Sequence, residues 1–283
     1  MKWENAVRKG YLAFPAIKAT AVAALAISLA VPLLAHAGPA ELARAEPPEV
    51  ACDLPFNMLR LAHPLSRLAQ RLATNEPITI VAIGSSSTAG AGASTASATY
   101  PSRLAVELER HFPNRQITVI NRGVNGEEVN DMVKRFDSAV VDAKPDLVLW
   151  QFGTNSIVRD QNLNSGDTAI QDGLKKIRAI GADVVIIDPQ FAPKVIANSR
   201  AAATVELIAT TAKYENVDLF RRYDVMKRWS KVDHIPFKTF VSQDGLHMND
   251  WSYACMAKGL GMAIAEAAQR PVMAATMMSH GVR

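Results

Sequence analysis

Apolar residues recur along the chain in two alternating rhythms. Short runs rich in β-branched residues fall at Ile78–Ile83, Gln116–Asn121, Asp146–Phe152, Asp183–Asp188 and Val217–Phe220. Ile78–Ile83 carries no charge at all. That run reads as a parallel strand buried on both faces, and the other four read as strands. Between them lie longer segments with helical spacing: Tyr100 to about Phe112, Glu127–Ala143, Thr168–Ile180 and Ala197–Tyr214. Pro101 sits near the start of the first of these, where helices accept proline. On Glu127–Ala143, Val129, Met132, Val133, Phe136 and Val140 share one face. Leu59, Leu61, Leu65, Leu68 and Leu72 predict a helix within Leu54–Leu72, and Asp250–Ala268 predicts a closing one. Repeated strand–helix units imply an α/β domain whose parallel sheet is covered on both sides. No internal repeat and no second domain are visible, so residues 54–270 are expected to form one unit.

The ends of the chain read differently. Lys2, Arg8, Lys9 and Lys18 precede the apolar run Ala19–Ala35, which closes on Ala35-His36-Ala37. That order predicts an export signal over residues 1–37, cleaved after Ala37. The alternative is a retained membrane anchor, since the run approaches the ~18 residues that can span a bilayer. Pro32 and the abundance of alanine favour removal. Residues 38–53, rich in Ala, Pro and Glu, read as a flexible leader, and residues 271–283 as a loose tail. The formal net charge is +4. The four leader cations against Glu4 account for +3 of it, so about +1 remains after cleavage and the basic balance says little. No basic stripe with interleaved aromatics points to nucleic acid.

The candidate chemistry lies where the strand-like runs end. Gly84-Ser85-Ser86-Ser87 follows the first run, Asn121-Arg122-Gly123-Val124-Asn125-Gly126 the second, and Gly153-Thr154-Asn155 the third. Asp244 and His247 share a short segment before the last helix. The carboxyl edge of an open parallel sheet is where such folds carry ligands. A serine becomes a nucleophile when a base takes its proton and a third group orients that base. Donors are also needed for the oxyanion of the tetrahedral intermediate. Taken singly, the serines could be a polar turn and Asp244 a helix cap.

Four blocks in this order resemble the SGNH hydrolases of the GDSL esterase/lipase family, over about Ile78 to Ala268. The family's Gly-Asp-Ser is matched by Gly84-Ser85-Ser86, its glycine block by Gly126 within Asn121-x-Gly123-x-x-Gly126, its Gly-x-Asn-Asp by Gly153-Thr154-Asn155-Ser156, and its Asp-x-x-His by Asp244-x-x-His247. The resemblance implies a flavodoxin-like three-layer α/β/α sandwich with a five-stranded parallel sheet. It implies a catalytic triad of Ser86, His247 and Asp244, and an oxyanion hole of Ser86 N–H, Gly126 N–H and the Asn155 amide. Ser85 and Ser156 stand where the family carries aspartates.

The expected function is an exported, periplasmic or secreted serine esterase acting through an acyl-enzyme, without metal or cofactor. An acylated carbohydrate is favoured as substrate. The alternatives are a lysophospholipase- or thioesterase-type lipid acyl hydrolase, and a catalytically silent glycan-binding domain on the same fold. Neither a His-Glu-x-x-His motif nor a phosphate-loop or dinucleotide fingerprint is present. Expected partners are thus a small-molecule or glycan ester, with no nucleic acid and no stable membrane insertion after cleavage. Gln151, Arg159 and Asp188-Pro189-Gln190 are further residues that could line the pocket, while His63, His111 and His234 read as structural or surface residues. Cys52 and Cys255, the two cysteines of the chain, are expected to pair in an oxidising compartment. Two separate buried thiols are the alternative.

Overall fold

The computed structural model describes residues 51–161, 163 and 167–270. The expected export signal, most of the leader and the C-terminal tail lie outside the described residues. Five strands, β1 (Ile78–Gly84), β2 (Ile117–Gly123), β3 (Leu147–Gln151), β4 (Asp183–Ile187) and β5 (Asp218–Phe220), form one parallel sheet in the order β2-β1-β3-β4-β5. The register aligns Gly123, Gly84, Gln151, Ile187 and Phe220 side by side at the carboxyl edge. The order reverses direction at β1, so a crevice opens between the ends of β1 and β3.

Side chains alternate across a strand, and each face of the sheet has its own core. Ile80, Ala82, Leu147, Leu149, Val185 and Ile187 pack to one side. They meet α1 (Phe56–Leu59), α2 (Ser66–Thr74), α4 (Tyr100–His111), α11 (Arg222–Lys231), α12 (Phe237–Phe240) and α13 (Asp250–Gln269). Val81, Ile83, Val148, Trp150 and Ile186 pack to the other. There they meet α5 (Val129–Lys134), α6 (Phe136–Ala139), α8 (Asp167–Ala179) and α10 (Ala201–Tyr214). Three further short helices, α3 (Ser86–Ala89), α7 (Thr154–Val158) and α9 (Pro193–Ile196), are the next elements after β1, β3 and β4. The result is the three-layer α/β/α arrangement that the strand pattern implied.

Several elements differ from the periodicity. The segment Leu54–Leu72 is two helices, because Pro64 disfavours helix at the residue before it and Arg60 is extended (φ −61°, ψ 122°). Glu127–Ala143 breaks at Arg135 (φ −108°, ψ 11°), whose side chain turns back to bind Glu127. Helices α7 and α11 carry no strong apolar rhythm and went unseen.

At the amino edge of the sheet, buried Asp146 accepts from Arg67 Nε (3.0 Å), Arg71 Nε (2.7 Å) and Thr79 N (3.0 Å). Asp183 accepts from the backbone N–H groups of Arg67 and Leu68. Asp218 accepts from His63 N, which gives His63 its structural place. These carboxylates seat α2 against the sheet at the end opposite the strand-end motifs. Cys52 and Cys255 are disulfide-bonded with Cα atoms 5.6 Å apart, tying the segment before α1 to α13. No helix among the described residues is long and apolar enough to cross a membrane.

Candidate active site

The nucleophile candidate is held by a turn that only a glycine could open. A Cβ at Gly84 would overlap Thr88 Oγ1 and lie 2.8 Å from Gln151 Oε1. With that space free, Gln151 Oε1 accepts from Ser85 N (3.0 Å), Ser85 Oγ (3.1 Å) and Thr88 Oγ1 (3.2 Å). Thr88 Oγ1 in turn lies 3.0 Å from Tyr100 Oη. Burial pushes the Tyr100 phenol up to about 12, so it stays protonated and can donate. Asn121 Nδ2 donates to Thr88 O (2.8 Å) and closes the other end of the turn. Ser86 is the first residue of α3, where a backbone N–H has no partner within the helix.

Asp244 and His247 come from a compact loop between α12 and α13. Ser242 N donates to His247 O (2.8 Å) and Gly245 N to Ser242 O (3.0 Å). Asp244 Oδ1 accepts from Ser242 Oγ (2.6 Å), Leu246 N (2.8 Å) and His247 N (2.9 Å). Its Oδ2 pairs with His247 Nδ1. Partial burial would raise the Asp244 carboxyl, but these hydrogen bonds outweigh it and hold the group well below the usual carboxylate range. Asp244 does not cap the last helix; Asn249 does, through Ser252 N. Because an ionised carboxylate can only accept, Nδ1 carries the proton and Nε2 is left as an acceptor. His247 Nε2 lies 2.8 Å from Ser86 Oγ. The structure therefore brings Ser86, His247 and Asp244 into one hydrogen-bonded line.

Neighbouring elements hold that loop in place. Gln190 Nε2 donates to Leu246 O (3.1 Å) while its Oε1 accepts from Thr154 Oγ1 (2.8 Å), linking the loop to the start of α7. Tyr253 Oη donates to Ala91 O (2.7 Å), and Ser94 donates to Asp250 through N (2.8 Å) and Oγ (2.5 Å). The stretch after α3 is thereby fastened to α13.

Gly126 and Asn155 follow β2 and β3, the strands on either side of β1. Gly126 has φ +79°, a conformation that side chains rarely adopt. Asn155 Nδ2 donates one bond to Glu127 O (2.8 Å), and an amide nitrogen carries a second N–H. Gln151 and Arg159, noted only as possible pocket residues, instead hold the serine turn and the Gly126 turn. Glu128, which also holds Arg159, and Ser242 were missed. An isolated polar residue leaves no mark in a sequence pattern.

The comparisons agree with this architecture. The Non-GDSL lipase-like family model matches residues 51–270. No curated protein sequence matches the chain. Among solved structures, a two-domain esterase active on acetylated mannans is similar at 18% identity and a TM-score of 0.64. The match covers 79% of this chain and 59% of that protein, so the chain spans less than two thirds of its length. A lipase/acylhydrolase from Enterococcus faecalis is similar at 24% identity and a TM-score of 0.53, over 66% of this chain and 95% of that one. An acetyl xylan esterase from Geobacillus stearothermophilus is similar at 16% identity and a TM-score of 0.57, over 66% and 94%. Likeness at these identities speaks for the fold; the family model, which spans most of the chain, speaks for descent. The chain belongs to the Non-GDSL lipase-like family, in keeping with the SGNH hydrolase resemblance of its four sequence blocks.

Proposed function

We propose that this protein is a serine esterase in which Ser86, His247 and Asp244 hydrolyse an ester through an acyl-enzyme. The observation that carries the proposal is the 2.8 Å approach of His247 Nε2 to Ser86 Oγ, with Nδ1 engaged by Asp244. Ser86 Oγ attacks the ester carbonyl carbon as His247 Nε2 takes its proton. The carbonyl oxygen becomes an oxyanion facing Ser86 N–H, Gly126 N–H and the second N–H of Asn155 Nδ2. When the intermediate collapses, the C–O bond to the alcohol breaks and the imidazolium gives that alcohol its proton. A water then gives its proton to His247 and adds to the acyl group. Collapse returns the proton to Ser86 Oγ and frees the acid. Asp244 stays ionised throughout and stabilises the imidazolium.

An acylated carbohydrate is the favoured substrate. Two of the similar structures are named for acetylated mannan and acetyl xylan, and an exported enzyme would meet such polymers. Export to the periplasm or beyond is supported by the basic and apolar leader and by the Cys52–Cys255 bond. A lipid acyl ester or thioester is the second substrate class, and a silent glycan-binding domain the alternative outside catalysis. The deciding experiment is a panel of acetylated oligosaccharides, short and long aryl esters and lysophospholipids, with Ser86→Ala as control. Turnover of acetylated glycans above long-chain esters is expected. Preference for long acyl chains would move the substrate to lipid, and binding of glycans without turnover of any ester would overturn the esterase.

A further inference from the structure

The turn that carries Gly126 is held by the end of β1, where Val124 N donates to Gly84 O (3.0 Å), by Arg135 on the Glu127 carboxylate, and from the end of α7. Asn155 lies in α7 and Arg159 is the residue that caps its end, one turn on, where Arg159 N donates to Asn155 O (2.9 Å), so the two share one face. Asn155 Nδ2 donates to Glu127 O, and Arg159 Nη2 donates to Gly126 O, each at 2.8 Å. The other arm of the guanidinium, Nη1, donates to Glu128 Oε1 at 2.8 Å. Ser156 Oγ lies 3.5 Å from Glu128 Oε2, so Glu128 receives one residue of α7 and the residue that caps it. Two successive backbone carbonyls and the next side chain are thereby fixed to the helix that bears the oxyanion asparagine. Gly126 has no side chain of its own to anchor it, and a Cβ there would sit 3.3 Å from Arg159 Nη2. Glycine has the widest backbone freedom of any residue. Backbone bonds hold the flanks of the turn, Val124 N to Gly84 O and Glu127 N to Val124 O, and the Arg159 bond falls on the Gly126 carbonyl itself.

We propose that Arg159, held by Glu128, is a positioning residue for the oxyanion site. It fixes the carbonyl of Gly126 and through it the aim of the Gly126 N–H. The inference rests on the esterase proposal above and assigns Arg159 no contact with the reacting atoms. Its chemistry suits the task, because a planar fork can serve a carbonyl and a carboxylate at once, whereas a lysine ammonium is a single point of charge. Glu128 offsets the positive charge beside the site, so what Arg159 supplies is geometry. Lysine at 159 should therefore keep the charge and lose much of the effect.

The test measures kcat and KM for a short aryl ester in wild type, Arg159→Ala, Arg159→Lys and Glu128→Gln. It also follows the Gly126 amide by NMR. Arg159→Ala should lower kcat about tenfold with KM within about threefold, the pattern of an interaction used in the transition state. Arg159→Lys should recover little of that loss. Glu128→Gln, which keeps an oxygen for Nη1, should lie closer to wild type. The Gly126 amide should shift and exchange faster in Arg159→Ala, with the acid limb of the pH profile unmoved. An unchanged kcat and an unmoved Gly126 amide would overturn the clamp. So would a raised KM with kcat intact, which would make Arg159 a substrate contact. Full recovery by lysine would overturn it too, because charge alone would then suffice. Absence of ester turnover in wild type, with the Gly126 amide still responding, would mark failure of the esterase proposal itself and end the catalytic role with it.

Discussion

Replacing Gln151 by leucine should loosen the turn that presents Ser86. Gln151 is fully buried, and its Oε1 is the acceptor for Ser85 N, Ser85 Oγ and Thr88 Oγ1. The Thr88 hydroxyl can rotate toward Tyr100 Oη, 3.0 Å away. The Ser85 N–H cannot rotate, and a buried donor left unpaired costs about 1–3 kcal/mol. Gln151 Nε2 is itself buried without a protein partner among the described residues, so removing it offsets part of that cost. A net loss of about 2 kcal/mol follows, or roughly 4–8 °C in Tm for a domain of this size. Urea unfolding should show a lower midpoint at unchanged slope. Ester turnover should fall by about tenfold, roughly 1.4 kcal/mol of transition-state stabilisation, because Ser85 precedes Ser86, the proposed nucleophile. Gln151→Glu gives a second arm. A neutral acid at low pH keeps the acceptor, whereas ionising it at higher pH buries a charge, so stability should fall as pH rises. Leucine at 151 with stability within about 0.5 kcal/mol of wild type and unaltered turnover would refute the reasoning, since that is the range of an inconsequential substitution.

Removing the disulfide by Cys52→Ser with Cys255→Ser should cost about 3–5 kcal/mol, the upper range expected for a bond with a sequence separation of 203; two alkylatable thiols in unreduced protein purified from the periplasm or medium would contradict the pairing. Asn155→Ala should lower turnover by about 10²–10³ with a smaller effect on KM, and a loss below tenfold would mean that the backbone donors suffice. Hydrogen bonds hold the Asp244 carboxyl well below the usual carboxylate range. The same depression means that Asp244 contributes stability above its unfolded pKa of about 4, lost as pH falls toward its lower folded value. The stability gap between wild type and Asp244→Asn should therefore close at low pH.

Much of the fold was legible because buried parallel strands have an unambiguous signature. The runs that end at Ile83, Phe152 and Asp188 are apolar on both faces, and each is a strand of the sheet. Helix boundaries were less legible where apolar spacing continues across a break. Leu61, Leu65, Leu68 and Leu72 keep helical spacing across Pro64, although α2 begins only at Ser66. Helix α11 was silent because Arg222, Val225, Met226 and Trp229 bury amid Lys, Arg and Asp. At the site, Ser86, Asp244 and His247 stood out through motif order, and the structure places them in one hydrogen-bonded line. Their supports did not stand out. Gln151, Arg159 and Glu128 act through geometry set by strand register and by the turn of α7, which no spacing along the chain encodes.

The most direct test of the account is the site of covalent modification by a fluorophosphonate, read by mass spectrometry of the digested protein. Ser85 Oγ is bonded to Gln151, and both Ser85 and Ser87 are almost wholly buried, whereas Ser86 faces the imidazole. One adduct is expected, on Ser86; it should block ester turnover, be absent in Ser86→Ala and form far more slowly in His247→Ala. An adduct on Ser85 or Ser87, or ester turnover that survives in Ser86→Ala, would contradict it.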